Sequence, residues 1–166
     1  MPIIDENDFT FTSSDKVTPI HVHEWVPDCD INGVVQICHG INEYMGRYEN
    51  FARFIASKGF VVVGNDHLGH GKSVAGPEDL GFFAYKDGWE KAVEDVESLR
   101  VLTSKKYPNV PYFILGHSMG SFMMRTHMIK FPEAPISGVI LSGTGQIKPA
   151  LVLAGRMACG TVMHRE

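Results

Sequence analysis

Short apolar runs separated by helix-patterned segments are the feature that most limits how this chain can fold. Val34–Cys38, Phe60–Asp66, Tyr112–His117 and Ser137–Ser142 each read as a strand. Runs such as VVQIC and FVVVGN lack polar alternation, so both of their faces must be covered, as in the interior of a parallel sheet. Between them lie three helical patterns. Tyr48, Phe51, Ala52 and Ile55 recur at i, i+3, i+4 and i+7, with Lys58 in the last turn and Gly59 at the C-cap. Trp89, Ala92, Val93, Val96, Leu99 and Leu102 line a longer helix. A capping-box-like D-x-x-E, Asp87 and Glu90, opens it, and Lys105, Lys106 and Pro108 close it. The third pattern runs from Met119 to Phe131. This alternation predicts an α/β fold, a mostly parallel sheet with helices on both faces. Ahead of it, Asp8–Val26 suits a hairpin with its turn at Ser13–Lys16. Phe9 and Phe11 share one face there, and Ile20, Val22 and Glu24 another. His21 and His23 have no partner that the sequence names.

Composition narrows the function classes. Fifteen Lys and Arg stand against nineteen Asp and Glu, a net charge of −4 with the eight His neutral. That balance gives no reason to expect nucleic acid as a partner. No apolar stretch approaches the roughly 20 residues of a bilayer span, and no signal-type segment opens the chain. Cys29, Cys38 and Cys159 form neither a disulfide framework nor a zinc ligand set, and they fit a reducing, cytoplasmic setting.

The chemistry concentrates in GHSMG at 116–120, between the apolar strand YFIL and an amphipathic helix. A sharp strand-to-helix turn would push the Ser118 hydroxyl out above the sheet in a strained backbone conformation. Gly116 and Gly120 flank it because side chains there would meet the neighbouring strand or helix. The helix N-terminus places partial positive charge where an oxyanion would form, with the Met119 N–H as first donor. A second donor must come from another segment, and His39-Gly40-Ile41, ending an earlier strand, offers the Ile41 N–H. A third segment, Asp66–Ser73, fails as a phosphate-binding loop because Asp66 stands where the first glycine is required. Asp66, His67 and His70 lack a second ligand cluster for a metal, so the segment reads as a self-hydrogen-bonded loop forming the floor of a pocket. Cys38 sits in a buried strand and is a poor nucleophile.

HGINEYMGRY at 39–48, NDHLGHGKS at 65–73 and GHSMG at 116–120 together resemble the α/β-hydrolase superfamily. More closely, the chain from about Gly33 to Ser142 resembles the monoacylglycerol lipase and lysophospholipase group, which is catalogued with the serine aminopeptidases. The resemblance implies hydrolysis of carboxylic esters of single-chain lipids by a Ser-Asp-His triad, without metal or organic cofactor. By position it implies Ser118 as nucleophile and Ile41 and Met119 as backbone oxyanion donors. His39, Gly40, Gly116 and Gly120 support the loops.

Acid and histidine should follow the nucleophile in the chain. After Ser118 there is no Asp; the carboxylate side chains are Glu133 and Glu166, and the histidines His127 and His164. A helix of a dozen residues would carry Glu133 roughly 18 Å to the opposite edge of the sheet. His127 reads as a helix-face residue, and His164 as part of an unfinished tail. His39 and His117 suit loop bracing and core packing.

Residues 1–148 thus read as the N-terminal part of a hydrolase core, and 149–166 as the start of an incomplete cap. That cap would supply any transient membrane-surface contact. The leading expectation is a serine hydrolase of monoacylglycerol or lysophospholipid type, nearly inactive as this chain alone. The alternative is a non-catalytic hydrolase-like fragment or interaction module. Either way, Val139-Ile140-Leu141 should leave an apolar sheet edge uncovered.

Overall fold

A computed structural model describes residues 3–163. Among these residues six strands form one sheet: β1 (Ile4–Thr12), β2 (Pro19–Pro27), β3 (Gly33–Cys38), β4 (Phe60–Asn65), β5 (Tyr112–His117) and β6 (Gly138–Ser142), in the order β1-β2-β4-β3-β5-β6. From β4 to β6 neighbouring strands run parallel, while β1–β2 and β2–β4 are antiparallel. Four α-helices lie among the described residues: α1 (Glu49–Ala56), α2 (Gly88–Lys106), α3 (Met119–Lys130) and α4 (Pro149–Met163). This is the expected α/β arrangement, a mixed sheet with helices on both faces.

Two cores follow from the two faces. On one, Val93, Val96 and Leu99 of α2 and Met123 and Met124 of α3 pack on Val22, Val34, Val63 and Ile114. On the other, Ala52 and Ala56 of α1 pack with Met45 on Trp25, Ile37 and Val62. One buried polar chain crosses the first core. Tyr112 Oη donates to Gln36 Oε1 at 2.6 Å, and Gln36 Nε2 donates to the Val96 carbonyl at 3.0 Å. It leaves the Gln36 amide, fully buried, without an unsatisfied polar atom.

Four local expectations change. The hairpin register pairs Phe9 with Val22 and Phe11 with Ile20, so the two apolar sets share one sheet face rather than two. The opposite face carries His21, His23 and Trp25. Asp87 does not cap α2: it lies in the left-handed region (φ 54°) and makes no side-chain cap hydrogen bond, so the D-x-x-E box is not formed. Leu102 is exposed, and α2 buries Arg100 and Thr103 in its C-terminal half. Finally, α1 ends at Ala56, before Lys58, and Phe51 points outward. Gly59 sits just beyond with φ +84°, and its N–H donates to Ala56 O at 2.9 Å. The buried stripe is therefore Met45, Ala52 and Ala56, because a 3₁₀ turn at Met45–Tyr48 rotates the entry into the helix.

Candidate active site

Ser118 sits between the end of β5 and the start of α3, half-buried, with φ 50° and ψ −115°. Positive φ is unfavourable for a residue with a Cβ, costing on the order of 1–3 kcal/mol, so surrounding contacts must hold it. They do so from both sides. The Ser118 N–H donates to Ser142 O at 2.9 Å, while its carbonyl accepts from the Ser121 N–H (3.0 Å) and hydroxyl (2.6 Å).

The flanking glycines are required by close approach. A Cβ on Gly116 would come within 2.5 Å of Gly120 O, and one on Gly120 would overlap the Cys38 carbonyl. That second approach seats the first turn of α3 on the end of β3. It also brings the β3 exit loop beside the serine: a Cβ on Gly40 would lie 3.2 Å from Ser118 Cβ.

The exit loop is pinned group by group. His39 Nδ1 donates to Gly40 O at 2.7 Å, and its Nε2 accepts the His67 N–H at 3.1 Å. An amide can only donate, so Nε2 must carry the lone pair and the ring is neutral with its hydrogen on Nδ1. Burial agrees, pushing the His39 pKa down to about 4. The neighbouring His67 is held neutral in the same way, chiefly by desolvation and then by the adjoining histidines. Because the Gly40–Ile41 peptide is planar and trans, fixing its carbonyl sends the Ile41 N–H the opposite way. The next carbonyl, Ile41 O, faces His70 Nε2 at 2.7 Å, and His70 Nδ1 faces Leu68 O at 2.8 Å.

Glu43 holds the other side. Its Oε2 accepts the Gly40 N–H (2.8 Å) and the Tyr48 hydroxyl (2.7 Å). Desolvation would raise its pKa, but these hydrogen bonds, with the nearby histidines, outweigh it and keep the carboxyl below its ordinary range. The Gly40 amide is thereby occupied. Among the described residues no hydrogen bond engages the amides of Ile41 or Met119. The Met119 N–H, first in α3, also carries the partial positive charge of the helix end. Glu43 and His70 escaped the sequence reading as loop braces. The G-x-x-E spacing from Gly40 was the available signal, since three residues is the reach by which a carboxylate returns to a preceding amide.

The Asp66–Ser73 segment is, as expected, cross-bonded to itself. Asp66 accepts the Met45 and Lys72 N–H groups at 2.7 Å each, and its carbonyl accepts the Ser73 hydroxyl at 2.7 Å. Leu68, Gly69 and Ser73 line a cavity of about 570 Å³ with Phe82 and Phe83, and Ser118 is not among its lining residues. Asp66, His67 and His70 do not form a metal-type cluster among the described residues; Asp8, His21 and His23 do.

Among the described residues none of the remaining candidates is hydrogen-bonded to the Ser118 hydroxyl. His127, nine residues along α3 and so roughly 13 Å away, is buried and donates from Nε2 to Glu97 at 2.8 Å. Glu133 is exposed in the loop beyond α3. His117 Nδ1 lies 3.2 Å from the Ser142 hydroxyl. His164 and Glu166 lie outside the described residues. The Cys38 thiol is fully buried, which pushes its pKa up to about 12. Among the described residues no helix is long and apolar enough to cross a membrane.

The profile of one protein family, described as serine aminopeptidase, S33, matches residues 30–162. A monoacylglycerol lipase of Mycolicibacterium smegmatis is 31% identical over 138 residues, covering 80% of this chain and 47% of that protein. The monoglyceride lipase of Mus musculus is 33% identical over 140 residues, 83% of this chain and 41% of that one. Among solved structures, a thermostable carboxyl esterase from Bacillus coagulans in complex with glycerol aligns with a TM-score of 0.86 at 28% identity, covering 98% of this chain and 52% of that one. The chain spans about half the length of the curated relatives it matches.

Proposed function

Because the chain belongs to the serine aminopeptidase S33 family of α/β-hydrolases, we propose that it carries the nucleophile half of a serine carboxylic ester hydrolase. The substrate class is a monoacylglycerol or lysophospholipid, by likeness to the lipases named above. Ser118 is the nucleophile; its attack on the ester carbonyl forms an acyl-enzyme that water then hydrolyses. The Ile41 and Met119 amides receive the negative charge of the tetrahedral intermediate. His39, Gly40, Gly116 and Gly120 hold those donors and the serine in place, with no metal or organic cofactor in the reaction. Residues 149–166 begin a cap over the acyl chain, which would make any brief contact with a lipid surface. The free thiols Cys29, Cys38 and Cys159 support a reducing, cytoplasmic setting.

The observation that carries this reading is the strained Ser118 backbone lying against the Gly40 loop, whose free amide is Ile41. The same structure favours near-inactivity of the 166-residue chain alone. No histidine ring is hydrogen-bonded to the Ser118 hydroxyl among the described residues, and His127 is committed to Glu97. Loss of the general base lowers turnover by a factor on the order of 10⁶ in subtilisin, the handiest comparison. A fluorophosphonate probe with peptide mapping tests both statements. The expected outcome is slow adduct formation on Ser118, absent in Ser118→Ala. Rapid labelling would overturn the inactivity, and an adduct on any other residue would overturn the nucleophile.

A further inference from the structure

The antiparallel register of β1 and β2 assembles a group of side chains that the ester chemistry does not use. His21 and His23 are two residues apart on β2, so their rings leave the same face of the sheet. Asp8 on β1 is the direct cross-strand partner of His23. Its Oδ1 lies 2.9 Å from His23 Nδ1, and its Oδ2 lies 3.4 Å from His21 Nε2. The two imidazole rings meet edge to face with centroids 4.5 Å apart. All three ligand atoms fall within 4.8 Å of one another. Ligand atoms bound to a tetrahedral zinc ion at ~2.1 Å stand ~3.4 Å apart, so small side-chain rotations suffice to close the set.

Hydrogen bonds tie down the backbone beneath this group. The His21 N–H donates to the Ser73 hydroxyl at 2.9 Å, and His21 O accepts the Asp66 N–H at 2.9 Å. His23 pairs with Gly64 in the sheet, and its ring stacks on Trp25 at 5.9 Å. Both histidines are only about 15% exposed, whereas Asp8 is about half exposed and opens the group to solvent. From these residues we propose that Asp8, His21 and His23 form a divalent transition-metal site of the zinc type that clips the edge strand β1 to β2. Two imidazole nitrogens and one carboxylate oxygen are a borderline donor set that suits zinc, with water in the fourth position. The site lies three strands from β5, roughly 14 Å across the sheet, and is separate from Ser118.

Lys72 sharpens the test. Its Nζ stands 3.2 Å from Asp8 Oδ2 on a side chain 59% exposed, so it occupies the carboxylate now and must swing out when the ion enters. Zn²⁺ is titrated calorimetrically into the chelator-stripped 166-residue chain carrying Cys29→Ser and Cys159→Ser, which silences the exposed thiols. The expected result is one equivalent bound at micromolar or better affinity, with a rise in Tm. Asp8→Asn and His23→Gln each weaken binding at least about tenfold, and Lys72→Met strengthens it. Asp8→Asn changes a half-exposed edge residue, so its urea midpoint without metal should stay near the parent value and keep the comparison interpretable. Failure to bind Zn²⁺, Co²⁺ or Cu²⁺ at millimolar concentration would overturn the site. So would binding that the Asp8 and His23 substitutions leave unchanged.

Discussion

At the scale of single residues, the site is a set of backbone groups forced into place by neighbours, and each constraint has a measurable consequence. Ser118 keeps a positive φ because the Ser142 and Ser121 hydrogen bonds hold it there. Ser118→Gly removes the strain that Ser118→Ala retains. In urea melts the glycine variant should therefore be the more stable of the two by on the order of 1 kcal/mol, although both lose the probe adduct. His39 supplies a pH dependence. Its pKa is about 4 when folded and near 6.5 when unfolded. Between those values the unfolded chain binds the extra proton, so stability is full above about pH 6.5 and falls as pH drops toward 4. The loss reaches about 3 kcal/mol from this residue, with His67 acting in the same direction. Urea midpoints at pH 7 and pH 4.5 measure it. His39→Gln should flatten the profile, and an unchanged profile would show that protonation of His39 is not opposed by the fold.

At the scale of elements, the position of α3 against β3 decides whether a site exists at all. Gly120 lets the helix start against the Cys38 carbonyl, and a side chain there meets backbone, which cannot move aside as a flexible side chain can. Gly120→Ala should cost about 3 kcal/mol and separate Ser118 from the Gly40 loop. Thermal melts together with probe labelling report the two effects. By contrast α2 is placed by long-range ties rather than by its own cap. Asp95 accepts the Ser13 hydroxyl (2.7 Å) and the Ser14 N–H (2.6 Å), fixing the hairpin turn to the helix. At its other end Lys106 donates to the buried Glu24 at 2.6 Å. These ties are why the Asp87 box was dispensable. Local capping is worth about 1 kcal/mol, less than a buried tertiary network can supply.

Across the whole molecule, the sheet is covered unevenly. Its centre, β4-β3-β5, lies between α1 on one face and α2 with α3 on the other, whereas β6 forms one edge with Ile140 56% exposed. Ile129 of α3 and Leu151, Leu153 and Met157 of α4 add further exposed apolar surface. An unpaired edge strand with apolar neighbours promotes association. The chain should therefore self-associate with rising concentration in light scattering. Ile140→Lys should reduce that association without lowering Tm, because the side chain has little packing to lose. A parent chain that stays monomeric at high concentration would show that this edge is not adhesive.

The alternation of apolar runs and helical stripes was enough to establish the α/β class, both covered faces and the strand-turn-helix around Ser118. These depend on periodicity and on glycine, which are properties of short stretches of chain. The brace of Glu43 and His70 around Ile41, the pairing of Asp8 with His21 and His23, and the shared face of the hairpin were decided by tertiary structure. Each depends on the register or approach of segments distant in sequence. A one-residue change of register turns every side chain of a strand to the other face, and no local pattern in β1 or β2 records which register the completed sheet selects.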